Sequence, residues 1–469
     1  MSATPHGLAA NAAAHPHNRF HVVLTSVIAA LAGLLFGLDI GVISGALPFI
    51  ARQFHVGDQM QEWIVSSMMV GAALGALGSG WMAKAIGRKY SLMIGAALFA
   101  CASGVCAFAW SPEMLITGRV FLGVAVGIAS FTAPLYLSEI APRTMRGAMI
   151  SLHQLMVTVG ILAAFLSNTA FSGAGDWRWM LGVIAFPALA LLFGLLFLPR
   201  SPRWLMSRGR NEEAERVLEK LRSDRKSIET EMSEIADQLK VEFQGWGLFR
   251  SNPNFRRTVG LGIMLQVMQQ LTGINVVMYY APRIFGLAGY GTSHDQLWGT
   301  VIVGAVNVAA TFIAIGLVDR WGRKPILYTG FTVMALALAT LGALLHIGVT
   351  SGASQIAAVV MLLVFIAGFA MSAGPMIWIL CAEIQPMKGR DFGIAASTFV
   401  NWVANTIAGA TFLTLLNTLG HAQTFWLYAV MNAAFIFLTL WLVPETKGVS
   451  LEQIERNLMD GRALRKLGE

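Results

Sequence analysis

Residues 259–285 read VGLGIMLQVMQQLTGINVVMYYAPRIF. The run is apolar and long enough to cross a bilayer as a helix, which takes about 20 residues. Yet it carries Gln266, Gln269, Gln270 and Asn275. Polar groups at membrane depth are costly and normally face a partner or a watery path. Gln266, Gln269, Gln270 and Gly273 fall at i, i+3, i+4 and i+7, one face of a helix. A lone amide there would read as packing glue between helices. A stripe of three, with Asn275 just beyond, points instead to a lined path. Amides both donate and accept, which suits a neutral polyhydroxylated solute. Gly273 is placed to loosen the helix, and Tyr279 and Tyr280 follow it.

The rest of the chain repeats this apolar theme. Of 469 residues, 56% are hydrophobic and only 12% charged; soluble proteins average about 25% charged. Twelve runs of spanning length can be laid out. Their length predicts helices, because a backbone in lipid must satisfy its own hydrogen bonds. Residues 1–19 are polar and rich in Ala and His, predicting a disordered start rather than a secretory signal. With both ends cytoplasmic, only Arg52, Arg178 and Arg283 fall outside, and Arg119 lies within a span. The other Lys and Arg fall inside, as the positive-inside rule requires. The net charge of +8 is thus a topology signal, not a nucleic-acid footprint. Cys101, Cys106 and Cys381 lie in apolar runs and indicate neither a disulfide framework nor a metal cluster.

Residues 200–256 are dense in charge and read as a cytoplasmic helical linker. Asn211 is placed to cap a helix opening with Glu212 and Glu213, and Ile228, Met232, Ile235 and Leu239 form the apolar face of another. In the tail, Ser450 and Gln453 form a candidate capping box.

Three marks recur in order and at near-constant spacing. Gly87-Arg88-Lys89 is answered by Gly322-Arg323-Lys324, Glu139-Ile-Ala-Pro by Glu383-Ile-Gln-Pro, and Pro199-Arg-Ser-Pro by Pro444-Glu-Thr-Lys. A duplicated six-helix unit explains all three. The expected fold is all-α and integral to the membrane, with twelve transmembrane helices in two pseudo-symmetric six-helix bundles. Its parts are residues 1–19, a first bundle over 20–199, the linker over 200–256, a second bundle over 257–443 and a cytoplasmic tail over 444–469. Parallel duplication with a cleft between the halves is the architecture of rocking carriers.

Asp39 and Arg119 interrupt apolar runs of the first half. A charge at the bilayer centre costs about 2.5–3.5 kcal/mol on insertion scales, so the two are expected to pair. Asp39 lies as far along its span from Val22 as Arg119 does from Tyr136, which puts them at similar depth. Burial and a neighbouring guanidinium pull a carboxyl's proton affinity in opposite directions. A pair that loosens during a conformational change can therefore take up or release a proton.

PLYLSEIAPRTMRG (134–147), SPRWL (201–205), QQLTGIN (269–275), GPMIW (374–378) and PETKG (444–448), with the two GRK loops, bring a family into view. On these motifs the chain resembles the sugar porter family of the major facilitator superfamily, over essentially its full length. Through LLFGLDIGVISGALPFI and CAEIQPMKGRDFG it is most similar to bacterial galactose/proton symporters. The resemblance implies sugar contacts from Gln154, Gln269, Gln270, Asn275, Asn307, Trp378 and Asn401, with Trp402 beside the last. Phe36 and Tyr279 are expected to close the site from opposite halves. An indole can pack on a pyranose face and donate one hydrogen bond; an interfacial or core anchor is the other role open to each Trp.

Proton coupling is expected at Asp39 and Arg119, because proton-coupled members carry Asp at this position where facilitative relatives often carry Asn. Glu139, Arg143, Asp319, Arg323, Glu383 and Arg390 would form an ionic gating network at the cytoplasmic ends. Two departures stand out: Lys84-Ala85 replaces the Asp-Arg pair that the second loop keeps as Asp319-Arg320, and Arg200 stands where many relatives have Glu.

The resulting expectation is a proton-coupled monosaccharide importer working by alternating access, with galactose ahead of glucose, arabinose and xylose. An uncoupled sugar uniporter is the alternative. Its partners would be a monosaccharide, protons and lipid, with no nucleic acid and no cofactor, in a monomer of the bacterial inner membrane. A drug/proton antiporter fits the amides less well, and a sugar sensor would need a larger cytoplasmic extension. An enzyme is not indicated, and no P-loop for ATP-driven transport is present.

Overall fold

The structure, a computed structural model, describes residues 16–141, 146–222, 224–239 and 245–469. Twelve segments are long and apolar enough to cross a membrane, and no strand occurs among the described residues. In the first half the membrane helices are Pro16–Phe54, Asp58–Ala85, Arg88–Ala107, Pro112–Ile140, Arg146–Ser172 and a sixth divided into Trp177–Gly182 and Ala185–Phe197. In the second half the seventh is broken into Pro253–Leu271 and Ile274–Tyr279, and Ser293–Trp321 and Arg323–Ile347 follow. The tenth is broken into Gly352–Met371 and Ala373–Glu383; Arg390–Thr418 and His421–Leu442 complete the set. The first helix starts at Pro16, so residues 16–19 are helical where the polar composition predicted disorder.

Close approach of backbones assembles the first half. Gly33, Gly37, Gly41 and Gly45 recur every fourth residue along one face of the first helix and meet the fifth helix at His153, Val157, Ile161 and Asn168. A Cβ at Gly37 would stand 1.9 Å from the Val157 carbonyl oxygen, so no larger residue fits. Between helices in lipid there is little hydrophobic drive, and small residues allow dispersion contact along the full length instead. The second and fourth helices pack in the same manner through Gly71, Gly75, Gly123 and Gly127. Outward-facing Leu77, Phe121, Phe312 and Phe437 are exposed, as a lipid-facing belt must be.

The halves meet where the second helix packs on the eleventh and the fifth on the eighth. Both GRK loops enter the next helix through a glycine at φ 92°, Gly87 and Gly322, which carries the duplication into the backbone. In the linker, Asn211 is the first helical residue rather than the cap, which falls to Arg210 without a side-chain bond. Ser450 caps its helix by accepting from the Gln453 N–H, while the Gln453 amide turns to Asn457 and leaves the reciprocal bond unmade.

Candidate functional site

The seventh helix ends at Leu271 and restarts at Ile274 because Gly273 adopts φ +91°, a left-handed conformation natural only to glycine. The break frees the Thr272 carbonyl, and Asn432 of the twelfth helix takes it at 3.1 Å. Unwound backbone at membrane depth is tolerated only where such a partner exists or water enters.

Around this break the amides form a continuous chain. Asn401 Nδ2 donates to Gln266 Oε1 at 2.6 Å and to Gln269 Oε1 at 3.0 Å. Gln269 Nε2 donates to the Ala373 and Gly374 carbonyls at 3.0 and 3.1 Å, just past the break of the tenth helix. Gln270 Nε2 reaches Gln269 Oε1 at 3.5 Å, and Gln270 Oε1 accepts from Asn275 Nδ2 at 2.6 Å. Gln266 is fully buried, while Asn275 at the far end is half-buried. Packing glue and lined path, set against each other in sequence, thus occupy opposite ends of one chain. Gln266 and Gln269 tie the seventh helix to the tenth and eleventh. Gln270 and Asn275 are spent mainly on each other and can exchange that bond for one to a solute.

The predicted aromatic groups divide. Phe36 of the first helix meets Trp402 of the eleventh edge-on, with centroids 5.5 Å apart, a contact between the halves. The Trp402 Nε1–H is buried and has no acceptor among the described residues. Trp378 is 39% exposed, so one indole is sheathed and the other open. Tyr279 is buried and accepts from Asn405 Nδ2 at 3.3 Å. Gln154 is half-buried and Asn307 buried, on the fifth and eighth helices that pack on each other. Asn405 and Asn432 were missed by the motif-based reading; isolated Asn residues in apolar runs were the available signal.

Asp39 and Arg119 pair at 3.5 Å with both side chains wholly buried. The guanidinium is anchored elsewhere, for Arg119 Nε donates to the Ile64 carbonyl of the second helix at 2.7 Å. Among the described residues Asp39 Oδ2 and Arg119 Nη2 have no partner. The pair is long and half-satisfied, so separating it forfeits less than separating a bidentate one. His153 is half-buried, its Nδ1 buried and without a partner among the described residues, against Gly33 of the same first helix.

At the end bearing the two GRK loops, Glu139 accepts from Arg88 at 2.7 Å and from the Ser201 hydroxyl. Glu383 accepts from Arg323 at 3.0 Å and from the Thr446 hydroxyl. Each Arg–Glu–hydroxyl triad lies within its own half, so these members of the expected network do not bridge the halves here. Among the described residues Arg390 reaches only the Gln385 carbonyl, at 3.5 Å. Arg143 and the Asp319 side chain lie outside the described residues. The Arg88, Ser201 and Thr446 partners follow from the repeated marks once the loops are brought together.

The residues 25–458 match the family model described as sugar (and other) transporter. The chain is 63% identical to the galactose-proton symporter of Escherichia coli K12 over 451 residues, covering 96% of this chain and 97% of that one. It is 57% identical to the arabinose-proton symporter of the same organism over 449 residues, covering 95% of each. Among solved structures it is similar to the xylose transporter XylE from E. coli in a partially occluded inward open conformation. There the TM-score is 0.81 at 30% identity, with 92% of this chain and 100% of that one covered. A paired intramembrane acid, a broken helix lined with amides and a duplicated twelve-helix frame agree with these likenesses, and the chain belongs to the sugar transporter family.

Proposed function

We propose that this protein imports a monosaccharide together with a proton by alternating access, with D-galactose the first candidate and L-arabinose the second. The observation that carries this is the pairing of two devices across one cleft. An exchangeable amide edge, Gln270 with Asn275, stands in the second half, and a half-satisfied buried acid, Asp39, stands in the first. The high identity to symporters of galactose and arabinose favours those two sugars.

In this reading Gln269, Gln270, Asn275, Asn401 and Trp378 hold the sugar from the second half, and Gln154 and Phe36 from the first. Asn307 joins them, and Tyr279 closes the outer side. Each such bond replaces one to water and is worth about 0.5–1.5 kcal/mol net, so binding is moderate and release remains possible. Asp39 carries the proton, and Arg119 competes with it for the carboxylate. One proton moved down 100 mV supplies about 2.3 kcal/mol, enough for tens-fold accumulation at about 1.4 kcal/mol per decade.

Both termini and the 200–256 linker face the cytoplasm, in a bacterial inner membrane, and the bundles over 20–199 and 257–443 move against each other. The Glu139 and Glu383 triads, with Arg143, Asp319, Arg323 and Arg390, bridge the halves only when the cytoplasmic side shuts. The test is pH recording in lightly buffered cell suspensions or proteoliposomes while sugars are added one at a time. Galactose should alkalinise the medium. Sugar flux without alkalinisation would make the protein a uniporter.

A further inference from the structure

At the end of the molecule away from the GRK loops, a cavity of about 400 Å³ lies between the halves. It is lined by Ser44 and Pro48 of the first helix, Gln61 of the second, Tyr279 and Arg283 beyond the break of the seventh, and Leu413 of the eleventh. Binding pockets for small solutes run from about 300 to 1,000 Å³, so the space is of solute size. Tyr279, which accepts from Asn405, stands one helical turn beyond Asn275. The Ser44 hydroxyl is buried without a partner among the described residues. The two halves are bonded to each other across this end, and those bonds decide whether it opens.

The second helix supplies the hold. Asp58 and Glu62 are four residues apart, hence on one face, and both reach the other half. Glu62 is only 2% exposed. Its Oε1 accepts from the Thr414 N–H at 2.7 Å and its Oε2 from the Thr414 hydroxyl at 2.7 Å. Asp58 accepts from Asn417 Nδ2 at 2.9 Å and from Arg283 at 3.3 and 3.4 Å, in a partly exposed pair. Gln61 and Leu413, sequence neighbours of Glu62 and Thr414, line the cavity directly beneath.

We infer that Glu62 is the residue that holds the outer gate closed, through Thr414, with Asp58 and Arg283 as a weaker rim. The inference rests on the alternating-access reading. A carboxylate withdrawn from water is stable only while its partners stay in place. With the gate open Glu62 is hydrated; with it closed Glu62 depends on Thr414. Removing the Thr414 hydroxyl therefore burdens the closed state alone. Exposed ion pairs such as Asp58–Arg283 hold little.

The test uses Ser44→Cys in a Cys101→Ser background, since Cys101 is the exposed native thiol. A membrane-impermeant thiol reagent is applied to the outer face of intact cells. Labelling is expected to be slow in this background and about tenfold faster with Thr414→Val, the loss of one bond to a charged group. Adding Glu62→Gln to Thr414→Val should return labelling toward the starting rate, because no charge is then left buried. Arg283→Gln should raise it no more than about twofold. Unchanged labelling with Thr414→Val, no rescue by Glu62→Gln, or a tenfold rise with Arg283→Gln alone would each overturn the assignment. Labelling requires no sugar, so its failure is distinct from absence of sugar-evoked pH change in the same cells, which would strike the transport reading instead.

Discussion

The two halves share an ancestry in sequence and differ in build. The first half keeps its first helix continuous from Pro16 to Phe54 and locks it to the fifth by glycines every fourth residue. The second half breaks the matching seventh helix at Gly273 and the tenth at Ser372, and meets the backbone at the breaks with amides from Gln269 and Asn432. Backbone-on-backbone packing leaves no slack for side chains to rearrange. Hydrogen-bonded amides at helix breaks can exchange one partner for another. The stiff half holds the half-satisfied buried acid Asp39 and the adaptable half holds the amide edge, which is the division a coupled carrier needs.

The loops repeat this contrast on a smaller scale. Glu445 accepts from the Arg323 and Lys324 N–H groups at 3.1 and 3.0 Å and so caps the ninth helix. Its counterpart Arg200 caps nothing; it donates to the Tyr90 hydroxyl at 2.9 Å and lies 4.9 Å over that ring. A positive group near a helix N-terminus opposes the helix dipole, which makes the third helix the less well-capped of the two.

The comparison can be broken most sharply at the acid. Asp39→Asn should abolish sugar-evoked alkalinisation while keeping downhill flux or exchange, and persistent alkalinisation would move the proton elsewhere. Next comes packing. Gly37→Ala drives a Cβ into the Val157 carbonyl and should cost about 1–3 kcal/mol, seen as a fall in thermal midpoint. Gly260→Ala in the seventh helix meets nothing within 4 Å and should leave that midpoint unchanged or slightly raised; equal losses at both would erase the distinction between the halves.

A smaller effect is expected at the amide edge. Asn275→Ala removes one exchangeable partner and should weaken sugar binding about tenfold in a folded protein, measured by calorimetry; wild-type affinity would remove it from the site. The smallest effect tests the loop. Arg200→Glu gives the first half the second half's cap and should add about 0.3–1 kcal/mol; a lowered thermal midpoint would mean that the Tyr90 contact outweighs the cap.

Much of the fold was legible. Apolar runs of spanning length, the Lys and Arg asymmetry and the three recurring marks identified twelve helices and their duplication without coordinates. The Gly273 break was readable because a glycine stood where an amide stripe had to open. Other features were not. Gln266 and Gln270 look alike along the chain, yet one is tied to Asn401 and the other to Asn275, since only the arrival of the eleventh helix decides which amide is spent. The triads of Glu139 and Glu383 stay within their halves because Ser201 and Thr446 come back over them after the sixth and twelfth helices.

By itself, then, the sequence determined what lipid dictates: where helices run, how many there are, and which polar residues must be explained. Those are local consequences of solvation, and they act residue by residue. The tertiary structure decided which polar groups are already partnered and which remain available, from the half-satisfied Asp39 to the carboxylate of Glu62 held by Thr414. Partners such as Glu62 and Thr414, 352 residues apart, are chosen by helix packing, and no local pattern in the chain encodes them.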